Sequence, residues 1–79
     1  MAIFAKELIG REVVDSHNEK LGHLTDMVFD VQSGSITTIV VTLEVDLNPT
    51  LLPWDCDEGQ VRIPVEDVSR FAKKVHLKK

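Results

Sequence analysis

Residues 21–45 read LGHLTDMVFDVQSGSITTIVVTLEV, and the alternation within this stretch decides the fold. In its first half Met27, Phe29 and Val31 alternate with Val28 and Asp30, which predicts a strand over residues 21–31 with one face turned to a core. Leu24 falls out of phase with that set, so a bulge is expected near Thr25-Asp26. Gln32-Ser33-Gly34-Ser35 is a short polar turn in which Gly34 supplies a positive φ, and the chain should return antiparallel as a hairpin. The second half, ITTIVVTLEV, is dense in β-branched residues. Ile39, Val41, Leu43 and Val45 share one face, the expected core face. Thr38, Val40, Thr42 and Glu44 share the other, which is only half polar.

Shorter elements follow on either side. Residues 3–9, IFAKELI, predict one helical turn stopped by Gly10. Residues 11–15 form a short β-prone run before a turn at Ser16-His17-Asn18-Glu19, where small polar side chains satisfy their own backbone. Gln60-Val61-Arg62-Ile63-Pro64-Val65 alternates as a strand, and Pro64 places it at an edge or marks its end. Glu66-Asp67-Val68 reads as a tight turn. Residues 69–77 resume β alternation, with Phe71, Val75 and Leu77 on one face. A helical stripe of Val68, Phe71, Ala72 and Val75 competes over the same residues, and the strand is preferred. Phe29, Ile39, Val41, Leu43, Ile63 and Val75 are therefore the expected core. Several short strands with tight turns in a chain of 79 residues point to a closed sheet, because closure removes edges.

A chain this short holds one domain, residues 1–79, and buries only roughly 60% of the surface its unfolded form exposes. Domains of this size are often supported by a disulfide, a metal or a partner subunit. Cys56 is the only cysteine, which excludes an internal disulfide and a zinc site built on several thiolates. A partner subunit is left as the expected support. The apolar runs are far shorter than the ~20 residues that span a bilayer, and the N-terminus lacks the pattern of a secretory signal, so a cytoplasmic protein without membrane insertion is expected.

Charge is divided along the chain. Thirteen acids against four bases leave residues 1–69 at −9, while five bases and no acid put residues 70–79 at +5, together the net −4. An acidic body repels phosphate and disfavours direct nucleic-acid binding. The basic end reads as a solvated edge strand whose lysines discourage aggregation, with docking on an acidic partner or an anionic lipid surface as the alternative.

No constellation for catalysis emerges. His17, His23, His76 and Cys56 match no local zinc spacing. Asp55-Cys56-Asp57-Glu58-Gly59 begins like a calcium loop but lacks the third oxygen ligand and the distal glutamate, so it reads as an acidic turn. Asp15, Ser16 and His17 are triad residue types at consecutive positions, which cannot supply triad geometry. Gly10, Gly22, Gly34 and Gly59 are far apart, each best placed at a turn or strand boundary, and form no phosphate loop. Neither an enzyme nor a cofactor or metal site is expected.

The remaining feature is residues 46–59, DLNPTLLPWDCDEG. Its prolines and glycine mark a loop, and loops normally lie in water. Yet it holds Leu47, Leu51, Leu52 and the only tryptophan, Trp54. These side chains either fold back as a lid over one end of the barrel or form a surface patch that needs a partner. With Val40 on the outer face of its strand, they are the expected partner or dimer interface: Val40, Leu47, Leu51, Leu52 and Trp54.

Taken in order, these segments resemble the PRC-barrel family. ELIGREVVDSHNEKLGHLTDMVFDVQSGSITTIVV, residues 7–41, is similar to its opening, and RIPVEDVSRFAKKVHL, residues 62–77, to its ending. The resemblance implies an all-β fold, a small barrel of about five to six antiparallel strands, as in the photosynthetic reaction-centre H subunit and the ribosome-maturation factor RimM. Residues 52–64 look most like the stand-alone archaeal group, which includes cell-division proteins associated with the SepF anchor of the FtsZ ring. It therefore implies a protein–protein interaction module, a homodimer or a heterodimer with a related PRC-barrel protein, recruited to the division site through a SepF-type partner. A ribosome- or RNA-associated maturation factor of the RimM type is the alternative, and the apolar LNPTLLPW segment is a departure from the family pattern.

Overall fold

The computed structural model describes residues 4–79. A single turn of helix, α1 (Ala5–Leu8), is followed by β1 (Glu12–Val14), β2 (Lys20–Phe29), β3 (Ile36–Leu43), β4 (Cys56–Asp57), β5 (Gln60–Pro64), β6 (Val68–Phe71) and β7 (Val75–Leu77). The seven strands form one sheet in the order β4-β5-β3-β2-β1-β7-β6. Neighbours run antiparallel except β1 and β7, which are parallel. The fold is thus mostly β and barrel-like, but its sheet does not close, because no ladder joins β4 to β6.

The hairpin of β2 and β3 is the centre of the sheet, and the expected bulge is there. Leu24 pairs with Val41 and Asp26 with Val40, so Thr25 is the extra residue. That insertion turns both Leu24 and Met27 inward, which strict alternation forbids. β3 carries a ladder on each side, to β2 and to β5. Ile39 and Val41 are fully buried on its inner face, with Val61 and Ile63 beside them on β5 and Val13 and Val75 beyond β2.

The hairpin's outer end corrects the expected core. Phe29 is 50% exposed and Val31 95%. A second register shift falls between Val28 and Phe29, and β5 stops at Pro64, opposite Thr38, so no neighbouring strand reaches far enough to cover Phe29. Val31 lies in the turn itself. Val45 is likewise outside the core, fully exposed two residues beyond the end of β3. The other expected core residues, Ile39, Val41, Leu43, Ile63 and Val75, are buried.

Residues 69–77 also differ from the single strand expected. They belong to a hairpin of β6 and β7 with a turn at residues 72–74, closed by Ala72 N–H donating to Lys74 O at 3.1 Å. Phe71 and Val75 still share a side because they pair directly across that hairpin. The edge strand is β6, while β7 lies inside the sheet between β1 and β6. Nor is the basic segment simply solvated. Lys74 pairs with Glu12 at 3.5 Å, Lys79 with Asp67 at 3.7 Å, and Arg11 donates to Ala72 O, so this segment is stitched to the acidic body.

Gly22 is not at a strand boundary but inside β2, and for a steric reason. A Cβ there would stand 1.9 Å from Thr42 O on the neighbouring strand. Only glycine lets β2 and β3 approach this closely. At the other hairpin, Glu58 (φ 52°) and Gly59 (φ 78°) form a two-residue connection between β4 and β5 with both φ values positive. That conformation suits the right-handed twist of the strands it joins. The acidic run is therefore a hairpin turn.

Candidate functional site

The loop of residues 44–55 leaves the end of β3 at a charged clamp. Lys20, the first residue of β2, reaches Glu44 at 2.8 Å and Glu12 at 3.7 Å. The hydrogen bond and charge of Glu44, with a smaller contribution from Glu12, raise the Lys20 pKa above its ordinary 10.5. Glu44 N–H also donates to Leu21 O at 2.9 Å, so the chain is held on β2 up to the point where it departs.

Beyond that point the loop organises itself. Asn48 accepts hydrogen bonds from Thr50 N–H at 3.0 Å and from the Thr50 hydroxyl at 2.7 Å. Pro49 follows with its φ already fixed and no N–H to satisfy, and a 3₁₀ turn forms over Pro49–Leu51. This capped turn sets which leucine faces where. Leu51 projects outward, 79% exposed, whereas Leu47, Leu52 and Trp54 are half-buried and packed against the core. Cys56 packs there as well.

Trp54 completes the arrangement. Its indole Nε1–H donates to Asp67 Oδ2 at 2.9 Å. Trp54 lies just before β4 and Asp67 just before β6, the two strands at opposite ends of the sheet order. The indole–carboxylate bond thus links the segment before β4 to the turn before β6, while Leu47, Leu52 and Trp54 pack against the core. Asp67 is held in place independently, since its carbonyl accepts Lys78 N–H at 2.8 Å. Residues 54 and 67 flank the β4–β5 hairpin, and its register together with the 3₁₀ turn after β5 brings them within reach of each other.

The structure therefore divides the five expected interface residues. Leu47, Leu52 and Trp54 are half-buried against the core, Leu51 points away from it, and Val40 is half-buried on the outer face of β3 between Asp26 and Arg62. Val45, fully exposed near the base of the loop, joins Leu51 as an apolar side chain in solvent. Val28, Phe29 and Val31 make a second exposed apolar group at the outer end of the β2–β3 hairpin. Sequence alternation had placed Phe29 inside; its position close to the polar turn at residues 32–35 was the available signal. Two open depressions flank β4. One of about 310 Å³ is lined by Pro49, Thr50, Leu52, Trp54, Asp55 and Cys56, and one of about 570 Å³ by Asp55, Cys56, Asp57, Glu58, Gln60 and Arg62.

His17, His23 and His76 occupy a turn, β2 and β7 respectively. Among the described residues, no three His, Cys, Asp or Glu side chains are grouped to hold a metal ion, and no helix is long and apolar enough to cross a membrane. The PRC-barrel domain profile matches residues 1–79. The chain belongs to the PRC-barrel family. No curated protein matches it. Membership suggests a small protein-interaction module, and in this PRC-barrel domain the loop of residues 44–55 combines a fixed turn with an outward apolar side chain.

Proposed function

We propose that this PRC-barrel domain is a non-enzymatic protein–protein interaction module, a dimeric adaptor in archaeal cell division acting with a SepF-type anchor of the FtsZ ring. The observation that carries the interaction reading is Leu51. It is held outward on a capped 3₁₀ turn, 79% exposed, while its neighbours Leu47, Leu52 and Trp54 pack inward. A leucine presented this way gains nothing from its own fold, but its burial against a partner is worth roughly 1.5–3 kcal/mol, counted twice at a two-fold interface. The acidic body supports a protein partner over nucleic acid. The cell-division setting rests on the resemblance of residues 52–64 to the stand-alone archaeal group, and function does not follow from fold alone.

Affinity capture from native cells tests this reading. Co-purification of SepF and FtsZ is expected, and recovery of ribosomal proteins in their place contradicts it in favour of a RimM-type role. Sedimentation equilibrium tests the dimer separately: wild type should self-associate at micromolar concentration and Leu51→Ser should weaken that association. A wild-type monomer under those conditions removes the dimer from the proposal.

A further inference from the structure

We propose that residues 46–55 form a latched lid, which opens as a unit while the barrel stays folded, and that the Trp54–Asp67 hydrogen bond is its latch. The loop's own backbone bonds are local: Leu47 N–H donates to Glu44 O, Leu51 N–H to Asn48 O and Leu52 N–H to Pro49 O, at 3.1 to 3.2 Å. Its one backbone link onto a core strand is Arg62 N–H to Asp55 O, a long 3.4 Å. The turn at Pro49–Leu51, with its Asn48 cap, can lift away intact, because neither its cap nor its internal bonds involve the barrel.

What holds the lid down is the packing of Leu47, Leu52 and Trp54, the indole–carboxylate bond, and two long, weak contacts from the Cys56 thiol to Pro49 O and Trp54 O. Segments with few buried contacts and no ladder open at free energies well below that of global unfolding. Asp67 is suited to be the fixed half of the latch. It closes a 3₁₀ turn at Val65–Asp67, its carbonyl is bonded to Lys78, and its carboxylate stays beside Lys79 when the indole leaves. Release uncovers the core face beneath these side chains and presents Leu47, Leu52 and Trp54 together with Leu51. The lid does not depend on the cell-division assignment, nor on which partner is bound.

Cys56 is a built-in reporter, since its half-buried thiol contacts the loop, 3.9 Å from Pro49 O and 3.7 Å from Trp54 O, and no other cysteine competes. The test measures the rate of Cys56 labelling by dithionitrobenzoate and acrylamide quenching of Trp54, in wild type, Asp67→Ala, Asp67→Asn and Lys79→Ala. Labelling of wild type should be slower than that of the unfolded chain and insensitive to low urea. Asp67→Ala should speed it about ten- to a hundredfold, the range expected for losing one hydrogen bond to a charged acceptor, and raise quenching in parallel. Asp67→Asn keeps an acceptor for the indole and should fall between, and Lys79→Ala should match wild type. Labelling that proceeds only through global unfolding overturns the proposal. So does labelling as fast as in the unfolded chain, or an Asp67→Ala rate equal to wild type.

Discussion

β3 and the loop that follows it are adjacent in sequence, and both are rich in apolar residues, but they are held by different physics. β3 is fixed by main-chain ladders to β2 and β5, and its inner residues are completely buried. Residues 46–55 have no ladder onto the barrel and are fixed by side chains, three apolar and half-buried and one hydrogen-bonded. The difference shows that a small open sheet can be completed without another strand. A prolyl loop packs two leucines and a tryptophan against the core and leaves one leucine over for the outside.

Two substitutions attack the ladder side of this contrast. Val41→Asp puts a carboxylate without a partner at a position with no solvent exposure, between Leu24 and Val61. It should destabilise by more than about 4 kcal/mol and leave the domain unfolded by circular dichroism. A wild-type melt would mean that the register of β3 is shifted by one residue. Gly22→Ala should come next. Its methyl group meets the Thr42 carbonyl, which belongs to a backbone locked in ladders on both sides. A loss of about 3 kcal/mol in urea denaturation is expected, at the upper end of overpacking effects. A neutral result would show that β2 and β3 separate more easily than their pairing implies.

The smallest effect is expected at the junction of the two regions. Lys20, exposed and paired with Glu44, has its pKa raised above 10.5. A raised lysine pKa means that the pair's contribution is complete below 10.5 and fades as pH rises through the folded value. Wild type should therefore be slightly more stable than Glu44→Gln at about pH 8, with the gap narrowing as the solution becomes more alkaline than the ordinary lysine value. A gap that does not change with pH would assign Glu44 a role other than this ion pair.

Much of the ladder side was legible in the sequence, because strand burial writes itself as a period of two. The out-of-phase Leu24 announced the bulge, Gly34 the turn, and Pro64 the end of β5. Alternation misleads where a strand outlasts its neighbours. It put Phe29 in the core and Val45 on a core face, although no strand extends far enough to cover them. It also ran β6 and β7 together, because Phe71 and Val75 face the same way across a tight turn. The loop was legible only as a choice between lid and interface. Trp54 is bonded to Asp67, thirteen positions away across the β4–β5 hairpin, and a hairpin with a strand of only two residues left too little alternation to announce that pairing.

The claim that residues 46–55 divide their three leucines, two for the barrel and one for the surface, is tested most directly by urea denaturation of Leu51→Ser and Leu52→Ser side by side. The protein should be dilute enough that association does not contribute to either midpoint. Leu52→Ser removes a half-buried side chain packed against the core and should lose about 1–2 kcal/mol. Leu51→Ser should stay within about 0.5 kcal/mol of wild type, because the side chain is already in water. Equal losses, or a larger loss for Leu51→Ser, would contradict the division of the loop into a covering face and an outward one.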